Sequence, residues 1–136
     1  MLLMLILFFC RQKELPTPCL WGIRLGIILF LAGAVVGGWI NSLGGHTVGA
    51  ADGGAGLPFL NWSVNAGDLR IAHALGLHGL QVMPLLGYLL SRRWNSKTGS
   101  AAPTTILAVF GVLYGTVMLG LFLQAMAGVP ITSLWR

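Results

Sequence analysis

The residues of this chain that could do chemistry are concentrated in one short segment, from Gly67 to Gln81. Its sequence, GDLRIAHALGLHGLQ, places Arg70, His73 and His78 in an otherwise apolar run. On a helix that turns 100° per residue, these side chains and Gln81 share one arc of about 140°, and the small residues occupy the opposite side. Strongly polar groups inside a membrane are costly unless they are paired, solvated or bound, so this arc is the candidate site.

A haem is the first ligand that fits this pattern. His73 or His78 would be the axial ligand of a b-type haem, and Arg70 would pair with a propionate near the membrane surface. The two histidines lie about 140° apart, so one helix cannot supply both ligands of one iron. A second ligand would come from another chain or from His46, or be absent. Haem b is therefore one candidate cofactor, but the sequence does not identify the cofactor.

The same segment fits two other ligands. A quinone headgroup would form hydrogen bonds with imidazole and with the amide of Gln81. A zinc or copper ion would draw on His46, His73 and His78, although their spacing is not diagnostic of a metal site. The structural alternative is that the two helical histidines hydrogen-bond across helices to polar side chains of a third span, for instance Tyr114, Thr116 or Gln124.

The elements that must position these residues are membrane spans. The chain is 56% hydrophobic and 8% charged, with a mean hydropathy of +0.83, which leaves too little charge for a soluble surface. Three apolar runs, about residues 21–40, 69–90 and 105–128, are each long enough to cross a hydrocarbon core of about 30 Å. We therefore predict an all-α membrane protein with a single transmembrane domain over residues 1–136. It has three transmembrane helices and a long glycine-rich outer loop at 41–67.

The basic residues predict the orientation. Six of the eight Lys and Arg residues precede or open the first span or follow the second, at Arg11, Lys13, Arg24, Arg92, Arg93 and Lys97. The other two are Arg70 and Arg136, and the 41–67 loop has no Lys or Arg. Basic residues favour the cytoplasmic side, so the amino terminus is predicted to lie inside and the carboxyl terminus outside. The apolar segment at residues 1–10 is too short to span and is expected to lie at the membrane interface.

Glycines and the outer loop indicate how the spans assemble. Three pairs of glycines lie four residues apart and favour close packing between helices or against a partner: Gly22 and Gly26, Gly33 and Gly37, and Gly111 and Gly115. Asp68 is positioned to cap the second span. The apolar half of the loop, residues 57–63, is predicted to fold back onto the helices. There it would serve as a lid over the polar arc or as a docking surface.

The motifs GGHTVGAADGG at 44–54 and GDLRxAHxxGLHxxQ at 67–81 resemble those of a group of small, uncharacterised bacterial inner-membrane proteins. The likeness covers residues 25–128 and implies a bacterial inner membrane. A fainter likeness is to haem A synthase, in which an Ala-Gly-Leu loop and a tryptophan precede a haem-ligating histidine. Ala55-Gly56-Leu57, Trp62 and His73 follow that order here, with Ala74 where the synthase has arginine. This second resemblance implies haem binding at His73.

These observations predict a subunit or accessory protein of a larger membrane complex, with other membrane subunits or further copies of this chain as partners. The alternative is a b-type haem-binding electron-transfer subunit that uses His73 or His78, or a quinone-binding protein. The net charge of +5 does not indicate nucleic acid, because the basic residues follow membrane topology and form no stripe with interleaved aromatics. With three acidic residues in all, the chain offers no carboxylate pair or nucleophile set for catalysis on its own.

Overall fold

The structure is a computed structural model that describes residues 15–94 and 100–135. Long helices dominate it, in the order α1 (Thr17–Leu43), α2 (Leu69–Arg93) and α3 (Ala102–Met126). Two short strands between α1 and α2, β1 (Thr47–Val48) and β2 (Gly67–Asp68), pair antiparallel, and a 3-10 helix, Ile131–Trp135, follows α3. The predictions for the segment 1–10 and for Arg11, Lys13 and Lys97 fall on residues outside the described part of the chain.

All three helices are long and apolar enough to cross a membrane, so the predicted three-span architecture is confirmed. At 27, 25 and 25 residues they measure about 37–40 Å, which exceeds a hydrocarbon core of about 30 Å. The helices extend the predicted spans at both ends of α1, at the end of α2 and at the start of α3. The third helix ends at Met126, before a turn in which Gly128 has a φ of 72°.

The described residues form two compact units. In the first unit, comprising 15–31, 77–94 and 100–115, α1 and α2 meet backbone to backbone at glycines. A Cβ on Gly22 would lie 2.5 Å from the carbonyl oxygen of Met83, and one on Gly26 would lie 2.9 Å from that of Gly79. On α3, a Cβ on Gly111 would lie 3.1 Å from a methyl of Leu25. The predicted role of glycine in close helix contacts is confirmed at these positions.

The second unit comprises residues 32–76 and 116–135. Here the loop between α1 and α2 packs against the end of α3. A Cβ on Gly67 would overlap the backbone of Ala125, and one on Gly49 would lie 3.4 Å from the Cα of Gly128. Leu69, Ala72 and other apolar side chains at the start of α2 are fully buried. The strands and the first turn of α2 are therefore fixed by contacts that only small residues permit.

The glycine contacts in the first unit generate the first prediction. Gly22→Ala should destabilise the protein by about 1–3 kcal/mol, because the new methyl meets backbone atoms of α2, which cannot rotate away. Gly120→Ala in α3 is the matched control, since a Cβ there has no neighbour within 4 Å. Denaturant titration in detergent micelles measures both. Equal stability of the two variants would contradict the packing described for α1 and α2.

Candidate functional site

Asp68 lies at the junction of β2 and α2, and its side chain is 1% exposed. Its carboxylate accepts hydrogen bonds from the backbone N–H of Arg70, at 3.0 Å, and from that of Ser63, at 2.9 Å. The first bond caps the amino-terminal end of α2, as the sequence predicts, because the amide of Arg70 has no partner within the helix. The second bond ties the far end of the loop to the same carboxylate.

Arg70 turns back onto this carboxylate. Its Nε donates to Oδ1 of Asp68 at 3.0 Å and its Nη2 donates to Oδ2 at 2.7 Å, which is the two-pronged geometry that guanidinium favours. The same Nη2 donates to the carbonyl oxygen of Asn61. The guanidinium that the sequence assigned to a haem propionate is thus engaged with Asp68 and the loop, so an incoming anion would have to compete with a buried carboxylate.

The pKa of Asp68 follows from these contacts. Burial by itself would raise the pKa, because it disfavours the charged carboxylate. Hydrogen bonds from the Arg70 side chain and from the backbone N–H groups of Ser63 and Arg70, together with the charge of Arg70, outweigh burial and lower the pKa below its ordinary value of 3.8. Asp68 is therefore a structural anion at neutral pH.

His46 lies at the start of the loop, close to two carboxylates. Its Nδ1 is 3.5 Å from Oδ1 of Asp68, 3.6 Å from Oδ1 of Asp52 and 3.1 Å from the hydroxyl of Thr47. Asp52 in turn accepts the backbone N–H groups of His46 and Thr47. The hydrogen bond from the Thr47 side chain, followed by these backbone bonds, lowers the pKa of Asp52. The turn that contains His46 is therefore stabilised by two carboxylates near its imidazole, those of Asp52 and Asp68.

His73 faces α1 in the second unit and is half-buried. Its Nδ1 lies 2.8 Å from the carbonyl oxygen of Gly33, which can only accept, so Nδ1 carries the proton. A Cβ on Gly37 would lie 2.6 Å from Cε1 of the ring. The imidazole therefore occupies the groove that Gly33 and Gly37 leave on α1. A hydrogen bond across helices was expected, but its partner is a backbone carbonyl of the first span instead of a side chain of the third.

His78 and Gln81 form a separate pair in the first unit, and both side chains are exposed. Nδ1 of His78 lies 3.0 Å from Oε1 of Gln81. The amide oxygen of Gln81 accepts, so Nδ1 of His78 carries the proton and donates it. The lone pair of Nε2 is then available to another group. A hydrogen bond at Nδ1 is also what orients an imidazole that ligates a metal through Nε2. The pair is therefore the one part of the predicted arc that combines an oriented ring with exposure.

The structure thus divides the predicted site residues into separate groups. Arg70 belongs to the Asp68 cluster, His73 to the α1 groove, and His78 with Gln81 to the exposed face of α2. Among residues 15–94 and 100–135, no three His, Cys, Asp or Glu side chains form a group that could hold a metal ion. The chain matches no protein-family model, no curated protein and no solved structure.

A feature that the sequence did not indicate lies at the tip of the loop. Residues 55–64 form a short hairpin, with Gly56 bridged to Ser63 and the N–H of Leu57 bonded to the carbonyl of Trp62. Phe59, at its tip, is fully exposed, and the neighbouring Leu60 is 55% exposed. The prediction that this apolar half folds back was wrong for both side chains, because the tight turn directs them outward.

The backbone of this tip is unusual as well. Phe59 has a φ of 65° and Asn61 a φ of 52°, in the left-handed region that costs a bulky residue about 1–3 kcal/mol. A left-handed phenylalanine persists only where surrounding contacts fix it, and the Arg70 bond to the Asn61 carbonyl is one such contact. The Asp68 cluster and the hairpin that carries the exposed tip are therefore connected twice, through the Arg70 guanidinium and through the N–H of Ser63.

The lowered pKa of Asp68 generates the second prediction. A carboxyl whose pKa is lower in the folded protein stabilises the fold above its unfolded value of about 3.8, and this contribution is lost as the pH falls through the folded value. Hydrogen exchange of the loop amides should therefore lose protection below about pH 4 in the wild type. Asp68→Asn should lose about 1–3 kcal/mol of that protection at pH 7 and show a smaller pH step.

Asp52→Asn is the control for this experiment, because its carboxylate is exposed and bonds only the turn at residues 46 and 47 within the described contacts. It should leave the exchange of the amides around residues 61–70 close to that of the wild type. Equal loss of protection in the two variants would show that Asp68 has no special role in ordering the loop.

Proposed function

We propose that this protein is a small membrane subunit or accessory protein of a larger membrane complex. The observation that carries the proposal is the exposed apolar tip formed by Phe59 and Leu60. A fully exposed aromatic side chain in a strained backbone, held in place by the Asp68–Arg70 ion pair, is typical of a surface that another protein covers. Loops on a rigid scaffold are also where binding residues concentrate.

The proposed cellular location is a bacterial inner membrane, with the amino terminus in the cytoplasm and the carboxyl terminus outside. Arg92 and Arg93 in the last turn of α2 favour a cytoplasmic location for that end. The loop between α1 and α2 has no Lys or Arg, which favours translocation. The bacterial assignment rests on the resemblance of the motifs at 44–54 and 67–81. In this topology the Phe59 tip faces outward, toward a partner with an extracytoplasmic surface.

A substitution at Phe59 tests the subunit role. Phe59→Gly removes the aromatic ring and also relieves the left-handed backbone, so the variant should fold at least as stably as the wild type. If the ring anchors a partner, its loss should weaken assembly by about 2 kcal/mol, or roughly thirtyfold. The measurement is the size of the complex containing the chain in native membranes solubilised with a mild detergent.

Asn65→Gly is the matched control, because Asn65 is also exposed in the same loop. It should leave the complex intact. The proposal predicts a wild-type particle clearly larger than a dimer of the 14.4 kDa chain. A wild-type chain that migrates only as a monomer or dimer, or a large particle that Phe59→Gly does not affect, would contradict the subunit role.

A second candidate function is b-type haem binding, as an electron-transfer subunit. The observation that favours it is the oriented imidazole of His78, which is bonded at Nδ1, exposed and free to ligate iron through Nε2. His73 suits this role less well, because its ring lies against Gly33 and Gly37. A quinone headgroup would use the same His78 and Gln81 groups as hydrogen-bond partners.

An absorption spectrum of the detergent-purified native protein, oxidised and then reduced with dithionite, tests this alternative. Haem binding predicts a stoichiometric Soret band that His78→Ala abolishes and His73→Ala largely preserves. Extractable quinone without a Soret band would indicate the quinone site instead. A featureless spectrum from protein that has kept its cofactors, with no extractable quinone, would exclude both ligands.

A further inference from the structure

The His78–Gln81 pair lies at the centre of a membrane-spanning helix. Gln81 is the central residue of α2, equally far from Leu69 and Arg93 in a helix of 25 residues. About 18 Å of helix lies on either side of it, so neither side chain can reach the headgroups of a core about 30 Å thick. Both side chains are nevertheless exposed on the surface of the helix. Polar groups at this depth need a partner, because lipid offers none.

The pair begins a line of exposed residues that follows α2 toward its carboxyl end. The steps alternate between three and four residues, and every member is exposed: His78, Gln81, Leu85, Tyr88 and Arg92. We call this line the α2 seam. An alternation of three and four is the spacing with which one helix meets another along its length.

The opposite face of α2 is already occupied. Gly79, Met83, Gly87 and Leu90 are buried in the first unit, with Gly79 and Gly87 in backbone contact with α1. These residues lie about half a turn around the helix from the seam. The seam is thus separate from the face that packs on α1, and the described residues of this chain leave it exposed.

The hydrogen-bonding groups of the pair indicate what covers the seam. With the His78–Gln81 bond made, the imidazole keeps one acceptor at Nε2 and the Gln81 amide keeps its N–H donors. A second copy in the same orientation presents the same acceptor and donors at the same depth. The Gln81 amide of each copy can then donate to Nε2 of His78 in the other copy. This is the self-complementarity that a two-fold interface requires.

The rest of the seam is compatible with this arrangement. Leu85 is 59% exposed and Tyr88 48% exposed, so both offer apolar area to a facing helix. The guanidinium of Arg92 stacks on the Tyr88 ring at 5.8 Å and donates to its hydroxyl. This contact holds the charge at the helix end, within reach of the headgroups. No charged side chain lies in the membrane-embedded part of the seam.

We propose that the α2 seam is the interface of a parallel two-fold homodimer, closed at mid-membrane by reciprocal hydrogen bonds between the His78 and Gln81 groups of the two copies. The inference goes beyond the proposed subunit role and uses a different surface from the Phe59 tip. Loss of the larger assembly on Phe59→Gly leaves the dimer intact, and loss of the dimer leaves the Phe59 tip unchanged.

Disulfide cross-linking in native membranes locates the interface. In the full-length chain with Cys10 and Cys19 replaced by Ser, Leu85→Cys places a thiol on the seam. Leu113→Cys on α3 is the matched control, since Leu113 and Leu85 are 60% and 59% exposed. The expected result is rapid formation of a cross-linked dimer at position 85 and little at position 113. Equal cross-linking at the two positions would overturn the assignment of the seam.

Dimer affinity in liposomes tests the role of the polar pair. Energy transfer between labelled full-length chains, measured over a series of protein-to-lipid ratios, gives the dimer fraction. Gln81→Leu should weaken the dimer about tenfold, since hydrogen bonds between membrane helices contribute roughly threefold each in affinity and two are lost. Leu113→Ala should leave the affinity unchanged, and circular dichroism should show the same helix content in all variants.

Three results would overturn the proposal. One is a wild-type chain that stays monomeric over the whole series, and another is a dimer whose affinity Gln81→Leu does not change. The third is a stoichiometric Soret band lost on His78→Ala, which would make haem the occupant of the pair. A dimer weakened by Gln81→Leu and cross-linked at position 85 supports it.

Discussion

The organisation of the loop between α1 and α2 depends on the burial of one carboxylate. Asp68 caps α2 through the N–H of Arg70, pairs with the Arg70 guanidinium and receives the N–H of Ser63. The start of α2 and the end of the loop therefore meet at a side chain that is 1% exposed. A buried charge is tolerable only when it is paired and hydrogen-bonded, and here each of its oxygens has at least two donors. The β1–β2 pairing and the hairpin tip are arranged around this centre.

Helix α2 combines two kinds of helix contact. Its glycine face brings its backbone against α1 in the first unit. Lipid provides no hydrophobic driving force between helices, so this close packing is what holds the two helices together. In the second unit, His73 adds a hydrogen bond to the Gly33 carbonyl of α1. The remaining face carries the polar pair of His78 and Gln81. The polar residues predicted to share one arc therefore lie in three different environments: Arg70 on Asp68, His73 against α1, and His78 with Gln81 on the exposed face of α2.

Much of the fold follows from sequence because its physical causes are local. Apolar runs of sufficient length define the three helices, and an acidic residue before an apolar run defines the cap at Asp68. The arc of polar residues on α2 was also predictable, because helical periodicity fixes the angles between side chains. These angles could not distinguish His73 from His78. Their difference depends on which α1 residues face each ring, and only a tertiary contact decides that.

The loop was less predictable for the same reason. Arg70 was assigned to an anionic ligand because its partner within the chain, two residues earlier, was considered only as a helix cap. Hydrophobicity suggested that Phe59 and Leu60 would be covered, whereas the direction of a turn depends on backbone angles that composition does not encode. The spacing of the α2 seam was present in the sequence, but exposure is needed to recognise it, since core residues can repeat in the same way.

The polar centre of α2 also bears on how the protein enters a membrane. α2 is the least apolar of the three helices, and it carries His78, Gln81 and Pro84 near its middle. Each polar group at the centre of a helix lowers the tendency of that helix to partition into lipid on its own. α1 is made first and presents Gly22 and Gly26 to the segment around Pro84. Insertion of α2 is thus coupled to a neighbour already in place, which makes the order of synthesis part of the folding of this chain.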